Sequence, residues 1–329
     1  MAAVPETMHQ SDHDIRNRLL IARLPAMPQI LIKLIEHLQA DDLGMPELAA
    51  LISNDAGMTS KILAVANSSA YHRTTRTVGL EQSLVALGTD VIKTLVISES
   101  VFQTFNNFPH SGSTDLRGFW KNSLTAAVIA RDLAKRMEYA QVEEAYLAGL
   151  LHNVGRLALL ATAPKEYAFN FTARDDEDLC AVEQRTLQIT HSEAGAWLIE
   201  RWHLDSFLAD SVLYHHEPSA RLESAHPLIR IVRLAHLMAT HEPDDEAIAD
   251  ASRLCGLGAD EVFVIDSLRF DTVASRFLVI AKLQEHEMTF LRAVSVFIGC
   301  VGVILLVRGY WTNQRFVKNQ SFSESWCRS

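Results

Sequence analysis

Ile30-Leu31-Ile32-Lys33-Leu34-Ile35-Glu36-His37-Leu38 puts Ile30, Leu31, Leu34, Ile35 and Leu38 on one face of a helix, with Lys33, Glu36 and His37 interleaved on the other. The pattern extends outward. Pro46 suits the first turn of a helix through Leu48, Ala49, Leu51 and Ile52, and Gly88 suits the end of one that restarts at Thr89 and Asp90. Val91, Ile92, Leu95, Val96, Phe102 and Phe105 continue an apolar face. No run of strict alternation, no hairpin dipeptide between β-branched runs and no glycine-rich phosphate loop is present, which argues against parallel-sheet nucleotide folds. The expected class is all-α.

With 329 residues, 48% of them hydrophobic and 21% charged, the chain can bury a substantial core as one large domain or two lobes. A formal charge of −10 argues against nucleic-acid binding, which needs clustered Lys and Arg; the last forty residues are the basic region, with an excess of Lys and Arg over acids. Cys180, Cys255, Cys300 and Cys327 are scattered without metal-type spacing, as suits a reducing cytoplasm. Residues 1–14 form a polar tail with no apolar core, so no secretory signal is expected there. Loop chemistry at Pro109–Leu116 and the polar run His241–Glu246 divide the rest, and helices are expected over 246–256 and 259–286, with Gly256 as a stop between them.

The tail, 289–329, is hydrophobic and basic. Ala293 to Val307 carries no charge, and Phe290 to Trp311 has Arg292 and Arg308 near its ends, which makes 290–311 a candidate membrane segment. A buried or subunit-pairing helix using Ser295, Gly299 and Gly302, and a non-native tail, stand as alternatives.

Several polar and aromatic groups have bland explanations. Asn67 and Ser68, beside Tyr71 and His72, are expected to satisfy a helix end. Trp120, Trp197 and Trp202 are expected in the core, and Lys61, Arg73 and Arg76 on a solvated face.

Three segments carry a more specific signal: Leu24-Pro25-Ala26-Met27-Pro28, Ile52-Ser53-Asn54-Asp55-Ala56-Gly57-Met58-Thr59 and Ile62 to Tyr71. With Val78 to Gly88, they resemble in order and spacing the amino-terminal lobe of HDOD domains, which are HD-related output or adaptor modules of bacterial signalling. The likeness runs on to about residue 240. It implies a two-lobed helical fold with an amino-terminal lobe over 15–110, an HD-like lobe with a five-helix core over 115–240, and carboxy-terminal helices over 241–288.

Ala148-Gly149-Leu150-Leu151-His152-Asn153-Val154-Gly155-Arg156 resembles the Leu-Leu-His-Asp-Ile-Gly-Lys core of the HD phosphohydrolases, whose adjacent His and Asp hold a divalent metal. Here the Asp position is Asn153, a neutral carboxamide. The upstream His position is Asn122, and the downstream Asp position, in Val232 to Ala239, is His236. His191, His215 and His216 also match family histidines, and with His152 and His236 they outline a candidate ligand or metal pocket. Against a metal, Thr190 and Glu193 form a capping box around His191, and His215 and His216 precede Pro218, where a helix ends and its dipole favours a protonated imidazole. Glu193 and Glu217 are the nearby carboxylates.

The resemblance and these departures imply a degenerate HD pocket (Asn122, His152, Asn153, His236) without catalytic residues or cofactor. The expected role is a non-catalytic cytoplasmic signalling module that meets a regulatory protein partner or a second copy of itself, with membrane contact, if any, through 290–311. The alternative is a metal-dependent phosphohydrolase acting on a nucleotide or cyclic dinucleotide at a histidine-rich site, with a divalent metal as its cofactor.

Overall fold

The computed structural model describes residues 15–22, 26–40, 44–67, 79–106, 116–173, 175–240, 246–258, 260–262 and 265, and these form helices with no strand. The polar tail 1–14, the expected joint at Pro109–Leu116 apart from Leu116, Ser68, Tyr71, His72, Arg73, Arg76, residues 241–245, most of the helix expected over 259–286, and the segment 290–311 lie outside them.

Amino-terminal helices α1 (Ile15–Ile21), α2 (Gln29–Ala40), α3 (Met45–Ser53), α4 (Ala56–Ala66), α5 (Leu80–Leu87) and α6 (Thr89–Asn106) follow the apolar periodicity. Leu31 and Leu34 of α2 are buried while Lys33 and Glu36 are exposed. Pro46 lies in the first turn of α3, Asp55 caps α4 by accepting from the Met58 amide, and Gly88 ends α5 at φ +79, a conformation L side chains rarely adopt. Asn67 caps the far end of α4, its Nδ2 donating to the Leu63 carbonyl at 2.8 Å. Helix α2 packs on α3 and α6, and α4 on α3, α5 and α6.

The second group is α7 (Arg117–Arg136), α8 (Val142–Leu151), α9 (Val154–Thr162), α10 (Pro164–Phe171), α11 (Glu177–Leu187), α12 (His191–Arg201), α13 (Ser206–Leu213), α14 (Pro227–Thr240) and α15 (Glu246–Leu254). Beyond Glu143 and Glu144 in its first turn, helix α8 is buried on every side from Ala145 to Leu151, because α7, α13, α14 and α6 surround it. Polar contacts join the two groups: Ser98 of α6 meets Tyr146 of α8 at 2.7 Å, and Arg131 of α7 donates to Thr94 at 2.6 Å beside Glu143 at 3.6 Å.

Two details differ from the sequence expectations. Helix α1, assigned to the first lobe, packs on α9, with Arg18 donating to Glu166 at 2.9 Å. Lys61 is not on a solvated face: its ammonium pairs with Glu99 and is only 16% exposed, because α4 lies against α6. Trp120 is buried with Phe102 at 4.4 Å, and Trp202 meets Phe105 at 5.7 Å. Trp197 is half-buried under the Arg201 guanidinium.

Close helix crossings fix the second group. A Cβ on Gly149 would sit 2.8 Å from the Ala126 carbonyl oxygen of α7, and one on Gly155 only 1.8 Å from the His191 carbonyl oxygen and 2.6 Å from the Gly195 amide nitrogen. Helices α9 and α12 therefore touch backbone to backbone, which carries the start of α12 to the end of α8. The Gly155→Ala variant is expected to lose about 3 kcal/mol in urea denaturation, since the obstacle is backbone. Gly118→Ala, at an exposed position with nothing within 4 Å, is expected to stay within about 0.5 kcal/mol. Equal midpoints for the two variants would refute the crossing argument.

Candidate functional site

Five histidines meet where α8, α12, α13 and α14 converge. His152 ends α8, His191 opens α12, His215 and His216 follow α13, and His236 lies on α14. Their ring centroids are close: His215 to His216 4.1 Å, His216 to His236 4.6 Å, His191 to His216 5.0 Å and His152 to His215 5.2 Å. His152, His191, His215 and His236 are fully buried. The Thr190–Glu193 capping box is present, with the Glu193 carboxylate accepting from the Thr190 amide at 2.9 Å, and it sets the entry of α12 so that His191 points inward.

The carboxylate of this cluster is one the sequence did not single out. Asp175, in the link between α10 and α11, is 3% exposed. Its Oδ1 lies 3.4 Å from His191 Nε2 and 3.2 Å from His216 Nε2, and its Oδ2 accepts from the Asn153 amide and lies 3.7 Å from His236 Nδ1. Glu193 and Glu217 do not serve: the first closes the capping box and the second pairs with Arg221 at 2.9 Å. Asn122 is half-buried on α7 and makes no hydrogen bond to the cluster among the described residues.

Arg156 holds Asp175 in place. Its Nη2 donates to the carbonyls of Asn170, Phe171 and Ala173 at 3.1, 2.8 and 2.9 Å, pinning the end of α10 and the following turn, while Nη1 stands 3.8 Å from Asp175 Oδ1. A second buried carboxylate, Glu183 of α11, accepts from His191 Nδ1 at 2.8 Å, from the His191 amide at 2.7 Å and from the Tyr167 hydroxyl at 2.5 Å.

The partners fix the tautomers. Nδ1 of His152 donates to the Gly149 carbonyl at 2.7 Å, and Nδ1 of His215 to the Val212 carbonyl at 2.6 Å. Both Nε2 atoms are buried without a hydrogen-bond partner among the described residues, as are both ring nitrogens of His236 and Nδ1 of His216. Burial lowers the pKa of His152 to about 4 and pushes those of His215 and His236 well below, and that of His216 below, the ordinary value. The expectation of a protonated imidazole at the end of α13 is thus overturned, because desolvation outweighs the helix dipole. Burial works against charge on Asp175 too, but the facing His191 and His216 more than offset it and hold the carboxyl well below its usual range.

Ring nitrogens left open on His152, His215 and His236, beside a buried carboxylate, are what a divalent cation requires of its ligands. Among the described residues three overlapping sets qualify geometrically: Asp175, His191, His215 and His216; His152, Asp175 and His236; and Cys180, Glu183 and His191, in which the Glu183 carboxylate is already taken up by His191 Nδ1 and Tyr167. The residues present therefore fit a metal of the zinc type. They do not offer the oxygen-rich cage of a hard cation, since Asn153 and Asn122 bring no charge.

An HDOD domain family model matches residues 24–218, so the chain belongs to the HDOD domain family. The fold is similar to the crystal structure of an HDOD domain protein of unknown function from Geobacter sulfurreducens, with 25% identity, coverage of 81% of this chain and 98% of that one, and a TM-score of 0.64. It is also similar to a protein provisionally named a phosphohydrolase from Shewanella amazonensis SB2B (23% identity, 78% and 93% coverage, TM-score 0.60). A third, provisionally named a signal transduction protein, is from Marinobacter aquaeolei VT8 (21%, 79% and 59%, TM-score 0.61). A curated, uncharacterized protein of Treponema pallidum is 22% identical over 217 residues, which span 65% of this chain but only 42% of that relative.

Two outcomes follow for the metal-free protein. His152, His215, His216 and His236 have folded pKa values below the unfolded value of 6.5, so below that pH the unfolded chain binds protons the native state refuses. Stability in chelator should be fully present above about pH 6.5 and fall toward pH 4, by up to about 1.4 kcal/mol per pH unit for each neutral histidine; a flat urea midpoint between pH 7.5 and 5 would contradict this. Separately, Asn153→Asp sets a second carboxylate against Asp175 and should cost about 3 kcal/mol at pH 8, because two contacting carboxylates cannot both stay charged without a cation. Unchanged stability of that variant in chelator would show that the two side chains do not touch.

Proposed function

We propose that the chain is a non-catalytic HDOD module of bacterial signal transduction that acts through contacts with a regulatory protein partner. The observation that carries this is the closure of the histidine centre. His152, His191, His215 and His236 have no exposed surface, Asp175 has 3%, and the least covered ring, His216, has a side chain only 9% exposed. A hydrolase of this architecture needs an open metal position that a phosphate ester and a water can reach. A cavity of about 370 Å³ lies elsewhere, lined by residues including Asp90, Lys93, Glu143, Glu144 and Asp205, none of which belongs to the centre.

Charge supports the same reading. Stabilising phosphoryl transfer between two metal ions needs several carboxylates, and Asp175 is the one that touches the imidazoles around its Oδ1, with Glu183 tied behind His191. The fold likeness to a protein provisionally named for signal transduction agrees with the proposal but extends to the fold alone. No described helix is long and apolar enough to cross a membrane.

The purified full chain, assayed with nucleotide phosphomonoesters and cyclic dinucleotides in Mg²⁺, Mn²⁺ or Zn²⁺, should give no turnover above a protein-free blank. Turnover that disappears in His152→Ala would overturn the proposal in favour of the histidine-rich phosphohydrolase.

A further inference from the structure

We propose that Asp175 Oδ1 and the Nε2 atoms of His191, His215 and His216 hold a single zinc-type divalent ion, a closed structural centre rebuilt around a carboxylate from the α10–α11 link. This deepens the non-catalytic reading by naming what the sealed centre holds.

The geometry is that of a tetrahedral site. Asp175 Oδ1 is 3.4 Å from His191 Nε2 and 3.2 Å from His216 Nε2, and those two nitrogens are 3.1 Å apart. Zinc bonded to nitrogen and oxygen at about 2.0–2.1 Å in a tetrahedron separates its ligand atoms by roughly 3.3 Å. The three atoms therefore form one face of the expected polyhedron before any ion enters. The fourth corner is His215, whose ligand atom lies within 4.8 Å of the other three and whose Nε2 is buried without a partner. His216 coordinates with its proton moved to Nδ1, which has no competing partner.

Supporting groups behind the ligands are in place. Glu183 receives the Nδ1 proton of His191, the Val212 carbonyl that of His215, and Tyr167 steadies Glu183 in turn. Such outer contacts orient imidazoles and raise their basicity. Asn153 acts as a positioning residue: by donating to Oδ2, it turns Oδ1 toward the three imidazoles.

The ion count and type follow from charge. Asp175 and Glu183 are the carboxylates that touch His191, and both are buried, so the centre offers negative charge to one divalent ion. One divalent ion can be tolerated there; a second, beside His152 and His236, would have to share Oδ2 with the Asn153 amide and would find no further carboxylate. Three nitrogens and one oxygen suit zinc or cobalt and not magnesium or calcium, which demand six or more oxygens.

The test uses the full chain stripped with chelator and titrated with Co²⁺ as a spectroscopic stand-in for zinc. Expected are one equivalent bound with the intense visible absorption of tetrahedral cobalt, its displacement by one equivalent of Zn²⁺, and a rise of at least about 5 °C in the unfolding midpoint with Zn²⁺. A hundredfold excess of Mg²⁺ should do none of this. Asp175→Asn and His215→Gln should each weaken binding by at least about a hundredfold, while His203→Asn, which changes an exposed histidine outside the cluster, should bind as the parent does. No stoichiometric cobalt, a weak octahedral spectrum, two equivalents, or undiminished binding in both cluster variants would overturn the proposal. Should those variants fail to fold, the parent's spectrum, stoichiometry and Mg²⁺ discrimination decide alone. Phosphoester hydrolysis by the zinc-loaded protein would refute the non-catalytic reading and leave the ion in place, whereas absence of the ion would refute this proposal and leave that reading standing.

Discussion

The second half of the molecule is organised around one buried charge. Taking the Asp175 carboxylate out of water costs several kcal/mol unless it is met by counter-charge and donors. The chain meets that cost from four directions: Arg156 on α9, the Asn153 amide between α8 and α9, His191 at the head of α12 and His216 after α13. Arg156 has a double role. The guanidinium that faces Asp175 also fastens the three carbonyls at the end of α10, so the group that neutralises the charge also builds the turn that presents it. Arg156 occupies the place of the lysine in the motif it resembles, and its planar fork reaches several acceptors at once, which a point-charge ammonium does with less geometric control.

Packing and electrostatics depend on each other at Gly155. The backbone approach of α9 to α12 there leaves no room for a side chain, and it sets His191 where Asp175 and Glu183 converge. A helix spacing one methyl wider would separate the carboxylates from their imidazole and leave buried charge without partners, a larger penalty than the lost van der Waals contact itself. The close crossing and the polar cluster are two aspects of one constraint.

Much of the fold was legible because local chemistry dictated it. The apolar face of α2, Pro46 at the start of α3, Gly88 at a positive φ and the Thr190–Glu193 box each require only residues within one or two turns. The five histidines were legible as candidates through a family pattern, and the structure brings them into ring contact. Asp175 was not. It stands in the acidic run Asp175-Asp176-Glu177-Asp178, where Asp176 caps α11, Asp178 is exposed and nothing local distinguishes the one member that turns inward. What distinguishes it is a contact with Arg156, 19 residues earlier in the chain, and with His216, 41 residues later. Glu193 and Glu217 stand near histidines in sequence, yet helix geometry spends the first on a cap and sends the second toward Arg221 at the surface. Lys61 follows the same logic: grouped by sequence with Arg73 and Arg76 it reads as part of a solvated face, until α6 supplies Glu99 against it.

The exchange of a carboxylate for Asn153 also changes meaning once Asp175 is in view. Read alone, the carboxamide subtracts a ligand. In the folded chain it is a donor to the carboxylate that remains, and an aspartate in its place would repel that group. The negative charge has moved from the end of α8 to the link before α11, where it faces the imidazoles of α12 and α13 and is backed by a fixed arginine. A charge so placed leaves the side of the pocket near His152 and His236 neutral and without a carboxylate of its own, since the Asn153 amide takes the oxygen nearest to it. A polar centre with charge at one edge, neutral rings at the other and at most 9% of any side chain exposed has the makings of an internal brace among α8, α9, α12, α13 and α14. It holds fixed the helices that carry the outer surface of this half of the molecule.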